Sequence, residues 1–431
     1  MFKRNIETDL RQWKDSDIRK PLVLRGARQV GKTSIVRKFA GENFESLVEI
    51  NLERADQNAF FAGVETPDEF IKKAELLTKT HVVEGKTLLF IDEIQESLDT
   101  MKLLRFLAEE NPGLHVIVAG SLLETKMAGD WSVPVGRVEY MYLYPMTFFE
   151  FLEAMGESNL LNDPKNGKEL LKKHLKDYLL VGGMPEAVVS FVVGKSRLKA
   201  QEVHDRLVTS YGEDMGKYAT ASDKKYLELV MDFGPKVAGS IYKYENFGDS
   251  GYRSREIGEA MSLLSRVMLL REVSAISSVN LPLVRKPKRA KKLIWLDVGM
   301  VNFANKVQME PLSGEYGGKI MEQFVGQTLI ASGLRRNMEL VYWSRNKDEG
   351  SAEVDFCFQY QNKIVGLEVK SGNTRNLRSL FSMVDIGGDK VIPVRVSWDD
   401  LGMEEYFHNG KKYKIRLVPF YLLEKIEEFL K

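Results

Sequence analysis

The segment Gly26-Ala27-Arg28-Gln29-Val30-Gly31-Lys32-Thr33 fits the pattern GxxxxGK[ST], and its flanks are those the pattern requires. Before it, Pro21 to Arg25 (PLVLR) reads as a short buried strand. After it, Ser34 to Phe39 reads as an amphipathic helix. Gly26 and Gly31 supply backbone angles that a side chain would obstruct. The N–H groups of such a turn point inward and, with the helix N-terminus, form a cradle for phosphate oxygens. Gly26, Ala27, Arg28, Gln29, Val30, Gly31, Lys32, Thr33 and Ser34 are therefore the candidate phosphate-binding residues. Lys32 can reach the β- and γ-phosphates, and Thr33 can offer its hydroxyl to Mg2+.

Working outward, the chain has 431 residues, so about two or three domains are expected. Apolar residues make up 44%, enough for packed cores. With 62 basic and 61 acidic side chains the formal net charge is +1, which argues against a uniformly basic nucleic-acid glove but permits local basic patches. Cys357 is the only cysteine, so no internal disulfide forms, in keeping with a reducing compartment. The N-terminal MFKRNIETDLRQWKDSD lacks the apolar core of a signal peptide, and no apolar run has membrane-spanning length. A cytoplasmic protein without a membrane partner is the simplest expectation.

Downstream of the glycine loop, Ser46 to Asn51 reads as a second strand and Asp68 to Lys79 as a helix. Lys86-Thr-Leu-Leu-Phe-Ile-Asp92-Glu93 is an apolar run ending in two acids. Continuous apolar strands suit a parallel sheet covered on both faces, and ligands bind beyond the C-terminal strand ends of such sheets. Asp92 is then placed to hold Mg2+ through water, and Glu93 to orient or deprotonate an attacking water; the plainer alternative is two solvated acids ending a strand. Leu98 to Glu110 is helical in pattern, and Leu114 to Ala119 is a further strand leading to Gly120-Ser121. Ser121 can sense the γ-phosphate or merely cap the next turn. Arg137 can stabilise charge on a transferring phosphoryl group, in its own site or a neighbour's, or form a structural salt bridge. Thr147-Phe-Phe-Glu150 is a capping box.

GARQVGKT, FIDEIQ, the strand-end Gly120-Ser121, Gly136-Arg137 and YPMTFFEF together resemble a large prokaryotic family of AAA-type P-loop ATPases. Its members are related to archaeal ATPases and carry a poorly characterised C-terminal domain. The resemblance implies ATP as cofactor, Lys32 and Thr33 on phosphate and Mg2+, Asp92 and Glu93 as the acids of the metal strand, and Ser121 as a sensor position. It also permits a homo-oligomer.

In the middle of the chain, helical patterns cover Glu169 to Val181, Arg197 to Lys217, Lys224 to Ala238 and Ser254 to Leu264, with a break at Gly182-Gly183-Met184-Pro185. A strand from Arg266 to Val273, a basic turn and a strand from Leu293 to Leu296 complete the outline of a winged helix. The turn at 285–292 holds Arg285, Lys286, Lys288, Arg289, Lys291 and Lys292, which could neutralise DNA phosphates or could be a solvated face.

Toward the C-terminus, Gly318 to Ser332 reads as a helix containing Glu322. Ala352 to Phe358 and Lys363 to Lys370 read as a hairpin. Alternation puts Glu353 and Asp355 on one face and Glu368 and Lys370 on one face of the partner strand. Carboxylates of this kind can bind Mg2+ or Mn2+ for phosphodiester hydrolysis, with a lysine orienting the water. The alternative is an ordinary charged strand face. Helix Glu322, Asp355 and Glu368-x-Lys370 resemble the PD-(D/E)xK nuclease superfamily, with Val354 in place of the proline. That resemblance implies Glu322, Asp355 and Glu368 as metal ligands and Lys370 as the catalytic lysine.

The expected architecture is α/β: a P-loop ATPase domain with a parallel sheet (1–155), a helical, winged-helix-like middle (156–310) and an α/β nuclease-like domain (311–431). The leading functional expectation is an ATPase whose nucleotide cycle controls a DNA-directed module, with a Mg2+- or Mn2+-dependent nuclease as the form that the second resemblance implies. The alternative is a nucleotide-gated switch or scaffold that recruits a protein partner, its nuclease-like domain inactive.

Overall fold

Long apolar runs separated by amphipathic helices force parallel pairing, because a helix must carry the chain back before the next strand can join. The computed structural model follows this rule in its first part. It describes residues 2–120, 136–218, 222–307, 314–333, 338–345, 352–372 and 376–431. The chain divides into two units, Met1–Tyr144 with Arg266–Met268, and Pro145–Ser265 with Leu269–Lys431.

In the first unit, β1 (Leu22–Arg25), β2 (Ser46–Asn51), β3 (Thr87–Asp92), β4 (His115–Gly120) and β5 (Glu139–Tyr142) form a five-stranded sheet in the order β2-β3-β4-β1-β5. Every pairing is parallel. β3 and β4 are buried along their whole length, as strands covered on both faces must be. The helices Lys32–Asn43, Pro67–Thr78 and Leu98–Glu110 return the chain between strands. A core of Val23, Ile50, Phe61, Phe70, Leu89, Ile91, Leu104 and Val118 fills one side. The short helix Ala55–Phe61 lay hidden in a stretch that reads only as polar and acidic.

The second unit begins with helices. Thr147 caps Phe148–Met155 with the reciprocal bonds of a capping box. The glycine-proline break has a steric cause. Gly182 has φ +71°, and a Cβ there would lie 2.0 Å from Asp297 Oδ1; one on Gly183 would lie 2.0 Å from the Met146 carbonyl oxygen. Helices Pro185–Gly194, Arg197–Tyr218, Lys224–Phe233 and Ser254–Arg266 follow. The expected strand from Arg266 is corrected: the helix buries Ile257, Ala260, Met261 and Leu264 and continues to Arg266, so the strand begins only at Leu270.

The strands of this unit are β6 (Ile241–Tyr242), β7 (Leu270–Ile276), β8 (Lys291–Trp295), β9 (Val341–Ser344), β10 (Glu353–Tyr360), β11 (Lys363–Lys370), β12 (Val391–Ser397), β13 (Gly402–His408) and β14 (Lys411–Pro419). They form one mixed sheet, β13-β14-β12-β11-β10-β9-β7-β8-β6. β10 and β11 are the expected antiparallel hairpin, and β12 joins β11 in parallel after helix Arg378–Gly387. β8 pairs with both β7 and β6, while β7 pairs on its other side with β9. The β7–β8 ribbon is therefore an interior part of the sheet, not a free wing. Helix Gly314–Gly333 packs on this sheet, with Gly326 against Ile294 and Phe356. Among the described residues no helix is long and apolar enough to cross a membrane.

Candidate functional site

The glycine loop follows β1 directly, so the sheet itself sets its position. The C-terminal ends of β1, β4 and β3 share one edge: Arg25 pairs with Gly120, and Ile91 with Val118. The acids at the end of β3 therefore stand across one intervening strand from the loop. Gly31 has φ +96° and Gln29 φ +61°, the left-handed angles of a loop wrapped inward. A Cβ on Gly26 would lie 2.5 Å from the Leu143 carbonyl oxygen, so only glycine fits beside β5.

Thr33 and Asp92 meet directly. The Thr33 hydroxyl donates to Asp92 Oδ2 at 2.6 Å, and the Glu93 N–H donates to Asp92 Oδ1 at 3.1 Å. Burial raises the Asp92 carboxyl above its ordinary value; the Thr33 bond opposes this and the Glu93 charge adds to it. Glu93 has φ +51°, a rare angle for a side-chain-bearing residue, and accepts a hydrogen bond from Gln95 Nε2. Gln95 is itself buried and was missed by sequence reasoning, although it adjoins the acids in FIDEIQ.

Lys32 supplies the test of fit for a triphosphate. Its ammonium is buried and donates to the carbonyls of Gly26 and Ala27 at 2.9 and 3.0 Å, yet makes no ion pair among the described residues. Burial lowers its pKa, opposed by the charges of Glu93 and Asp92. A phosphate anion supplies what this cation lacks. Thr33 and Asp92 together are oxygen donors suited to Mg2+. Arg28, Gln29 and Ser34 stand at the outer rim, with Arg28 3.5 Å from Glu53.

Arg4 was also missed, in a segment that reads as a charged lead-in. Its guanidinium is buried and donates to the Val30 carbonyl at 3.2 Å and the Tyr144 carbonyl at 2.7 Å, bracing the loop from outside.

Two expectations fare differently. Ser121 lies outside the described residues. Arg137 is not brought to the loop. It precedes β5, whose Glu139 pairs with Leu22 at the start of β1, so it stands at the opposite edge of the sheet. There it pairs with Glu109 at 3.0 Å, near the C-terminal end of helix Leu98–Glu110. The salt-bridge reading is the one its own copy supports.

In the second unit the sheet brings Glu322, Glu353, Asp355, Glu368 and Lys370 into one neighbourhood, and adds Lys292. The β9–β10 ladder shifts register between Val354 and Cys357, which frees Asp355 to turn inward. Asp355 Oδ2 accepts the Val369 N–H at 2.8 Å, standing in for a ladder partner. Lys370 donates to Glu368 Oε1 at 2.8 Å, whereas the buried Glu368 Oε2 has no hydrogen-bond partner among the described residues. Burial, with the charge of Asp355, pushes Glu368 up to about 8 and Glu322 up to about 7.

Lys292 requires the largest correction. It belongs to the turn expected to face DNA, yet it is 1% exposed. Its ammonium lies 2.7 Å from Glu322 Oε2, 3.3 Å from Asp355 Oδ1 and 3.7 Å from Glu353 Oε1, and 4.9 Å from the Phe356 ring centroid. Burial opposes its charge, but the three acids outweigh that and raise its pKa. Other basic residues of the turn are also engaged. Arg285 pairs with Glu339, Arg289 donates to the Ser344 and Arg345 carbonyls, and Lys291 binds Tyr244 and Glu272. Among the described residues no group of three or more His, Cys, Asp or Glu side chains is arranged to hold a metal. The expected Mg2+ or Mn2+ ligand set of Glu322, Asp355 and Glu368 does not fit, because a lysine ammonium already sits between Glu322 and Asp355.

Comparisons with known proteins agree with the first unit and assign no activity to the second. Residues 18–152 match the family described as an AAA domain. Residues 172–310 and 317–405 match two different domains of unknown function. No curated protein matches the chain. Among solved structures, the RuvB Holliday junction branch migration motor of Thermotoga maritima is 17% identical over 66% of this chain and 92% of its own, with a TM-score of 0.30. C. elegans PCH-2 is 13% identical over 39% of this chain and 50% of its own, with a TM-score of 0.24. Scores this low do not establish a shared fold. The class that the first unit defines is thus the AAA-type P-loop ATPase domain, shown by the family match and the parallel sheet bearing the loop.

Proposed function

We propose that the protein binds ATP with Mg2+, hydrolyses it, and uses the nucleotide cycle to switch the binding state of its second unit toward a protein partner. The observation that carries the ATP reading is the 2.6 Å bond between Thr33 and Asp92 beside a buried Lys32 that makes no ion pair among the described residues. Lys32 and the loop N–H groups bind the phosphates. Thr33 and Asp92 would hold Mg2+, which when bound offsets charge on the phosphates. Glu93, fixed by Gln95, orients the attacking water and accepts its proton.

The switch reading is supported by the engagement of Lys292 and of much of the basic turn within the second unit itself. Glu93→Gln tests the hydrolytic assignment. It should retain ATP binding and lose about 10²- to 10⁴-fold in turnover, the range for a positioned general base. Wild-type turnover in that variant would remove Glu93 from the reaction.

A second reading, DNA binding by a winged-helix-like region, is favoured by one feature. A groove of about 380 Å3 is lined by Tyr242, Lys243, Tyr244, Lys288 and Lys291, among others. Lys243 and Lys288 are exposed and make no ion pair among the described residues. If they contact DNA phosphates, Lys243→Glu with Lys288→Glu should weaken duplex binding and reduce its salt slope by about 2. An unchanged slope would leave the protein-switch reading alone.

A further inference from the structure

The carboxylate cluster of the second unit holds two facts that pull in opposite directions. Four acids, Glu322, Glu353, Asp355 and Glu368, are drawn into one neighbourhood from one helix and two strands, an excess of negative charge that calls for a cation. Yet the cation present belongs to the chain. The Lys292 ammonium is 2.7 Å from Glu322 and 3.3 Å from Asp355, and β8 delivers it from a different part of the fold than the hairpin.

We infer that Lys292 is the resident cation of this centre, occupying the place a divalent metal would take, so that the nuclease-like module is metal-free by construction and catalytically silent. The inference rests on the nuclease-like reading of this sheet and is independent of the ATP site.

Three observations carry it. First, Lys292 is anchored against leaving. β8 is an interior strand paired to β6 and β7, and Gln323, next to Glu322, clamps β8 by donating to the Trp295 carbonyl and accepting the Trp295 N–H, both at 2.8 Å. The helix that brings Glu322 is thus fixed to the strand that brings Lys292. Second, the lysine is the cation that offsets the charge of three acids, Glu322, Glu353 and Asp355. Removing it would leave Glu322, Glu353 and Asp355 facing one another in a half-buried site, where like charges favour another cation or protons. Third, Asp355 has its second oxygen committed to the Val369 N–H. A metal would have to compete for the oxygen already facing Lys292.

The silence also has a chemical reason. Metal-assisted phosphodiester hydrolysis needs an ion that polarises the phosphate and lowers the pKa of its bound water. An ammonium surrounded by carboxylates can do neither, because its protons are already bonded.

The test is a Mn2+ titration of the full chain without nucleotide, followed by electron paramagnetic resonance and by thermal unfolding, with Lys292→Ala and Asp355→Asn alongside. Wild type should show no Mn2+ binding that depends on Asp355, and its melting temperature should not move with Mn2+ or EDTA. Lys292→Ala should gain about one Mn2+ per chain with a dissociation constant of about 0.1–1 mM, the range of weak oxygen-ligand sites. It should be restabilised by that ion. The double variant with Asp355→Asn should lose the gain. Stoichiometric, Asp355-dependent Mn2+ binding by wild type would overturn the inference, and that measurement stands even if Lys292→Ala fails to fold. A folded Lys292→Ala that takes no Mn2+ would overturn it from the other side, by showing that the acids are no cation site and that the nuclease-like reading is itself at fault. ATP hydrolysis, measured in parallel, should be unaffected by either result.

Discussion

Replacing Lys32 with methionine should make the nucleotide-free protein more stable and at the same time abolish its response to ATP. The Lys32 ammonium is 6% exposed, has two neutral carbonyl partners and no ion pair among the described residues. Exchanging buried charged groups for packed apolar ones of similar volume often stabilises by about 1–4 kcal/mol. The lost hydrogen bonds to Gly26 and Ala27 offset about 1–2 kcal/mol in total, since each is worth roughly 0.5–1 kcal/mol net. Taken at mid-range, the balance is about 1 kcal/mol in favour of the variant. For a unit of this size that raises its melting temperature by about 2–6 °C. MgATP at about 100 times its dissociation constant stabilises wild type by about 2.7 kcal/mol and the variant not at all. The order of the two melting temperatures should therefore reverse when nucleotide is added. Differential scanning calorimetry with and without MgATP reads both effects. The pH dependence has a definite sign. The folded-state pKa of Lys32 is lowered, so below that value the ammonium is charged in both states and the full penalty applies. The penalty shrinks as pH rises from the lowered folded value toward the ordinary one, and the gap between variant and wild type should narrow there. A variant that melts several degrees below wild type without nucleotide would refute the desolvation argument. A variant that still shifts with ATP would refute the loop assignment.

Asp92→Asn should retain the fold, raise the Mg2+ concentration needed for half-maximal hydrolysis by about 10-fold or more, and slow turnover, read by a Mg2+ titration of ATPase rate. Arg4→Ala leaves the Val30 and Tyr144 carbonyls without this donor and should weaken ATP binding without touching the nucleotide itself, seen as a raised KM by steady-state kinetics. Gly183→Ala drives a Cβ into the Met146 backbone and should destabilise the second unit by about 1–3 kcal/mol in urea unfolding. Asp297 accepts the Gly183 and Met300 N–H groups, and burial pushes its carboxyl up to about 6. Because the folded state holds this proton more tightly than the unfolded chain, its contribution is fully present below about pH 4 and is lost as pH rises toward about 7. Relative to Asp297→Ala, wild type should lose about 3 kcal/mol across that window, measured by paired urea melts.

The first unit was legible because its signals are local. A phosphate loop needs glycines at fixed offsets, and a strand buried on both faces needs an unbroken apolar run; each signal is complete within about ten residues of sequence. The strand order was not legible, since nothing in Leu114 to Gly120 says that this strand lies between the loop strand and the acid strand. Arg4 was hidden for a related reason: its partners are backbone carbonyls at Val30 and Tyr144, which leave no mark in side-chain patterns. Arg137 stayed open between a phosphate contact and a salt bridge because Gly-Arg before a strand does not name its partner. Parallel register with β1 decides it, and register is a tertiary fact.

Lys292 is the instructive case, because the information to find it was present. In a strand, adjacent side chains face opposite ways, so Lys291 and Lys292 cannot share a surface. Leu293, Ile294 and Trp295 follow without a polar break, which marks β8 as covered on both faces. One of the two lysines then had to point into a buried layer, and a buried lysine needs carboxylates. Alternation puts Glu353 and Asp355 on one strand face, and the nuclease resemblance sets Glu322 beside Asp355 as acids in want of a cation. Counting the lysines as a solvated charge run obscured that match, although charge parity along the strand and the unpaired acids pointed to the same residue. The metal expected from the acids and the DNA contact expected of Lys292 were two readings of halves of one ion cluster.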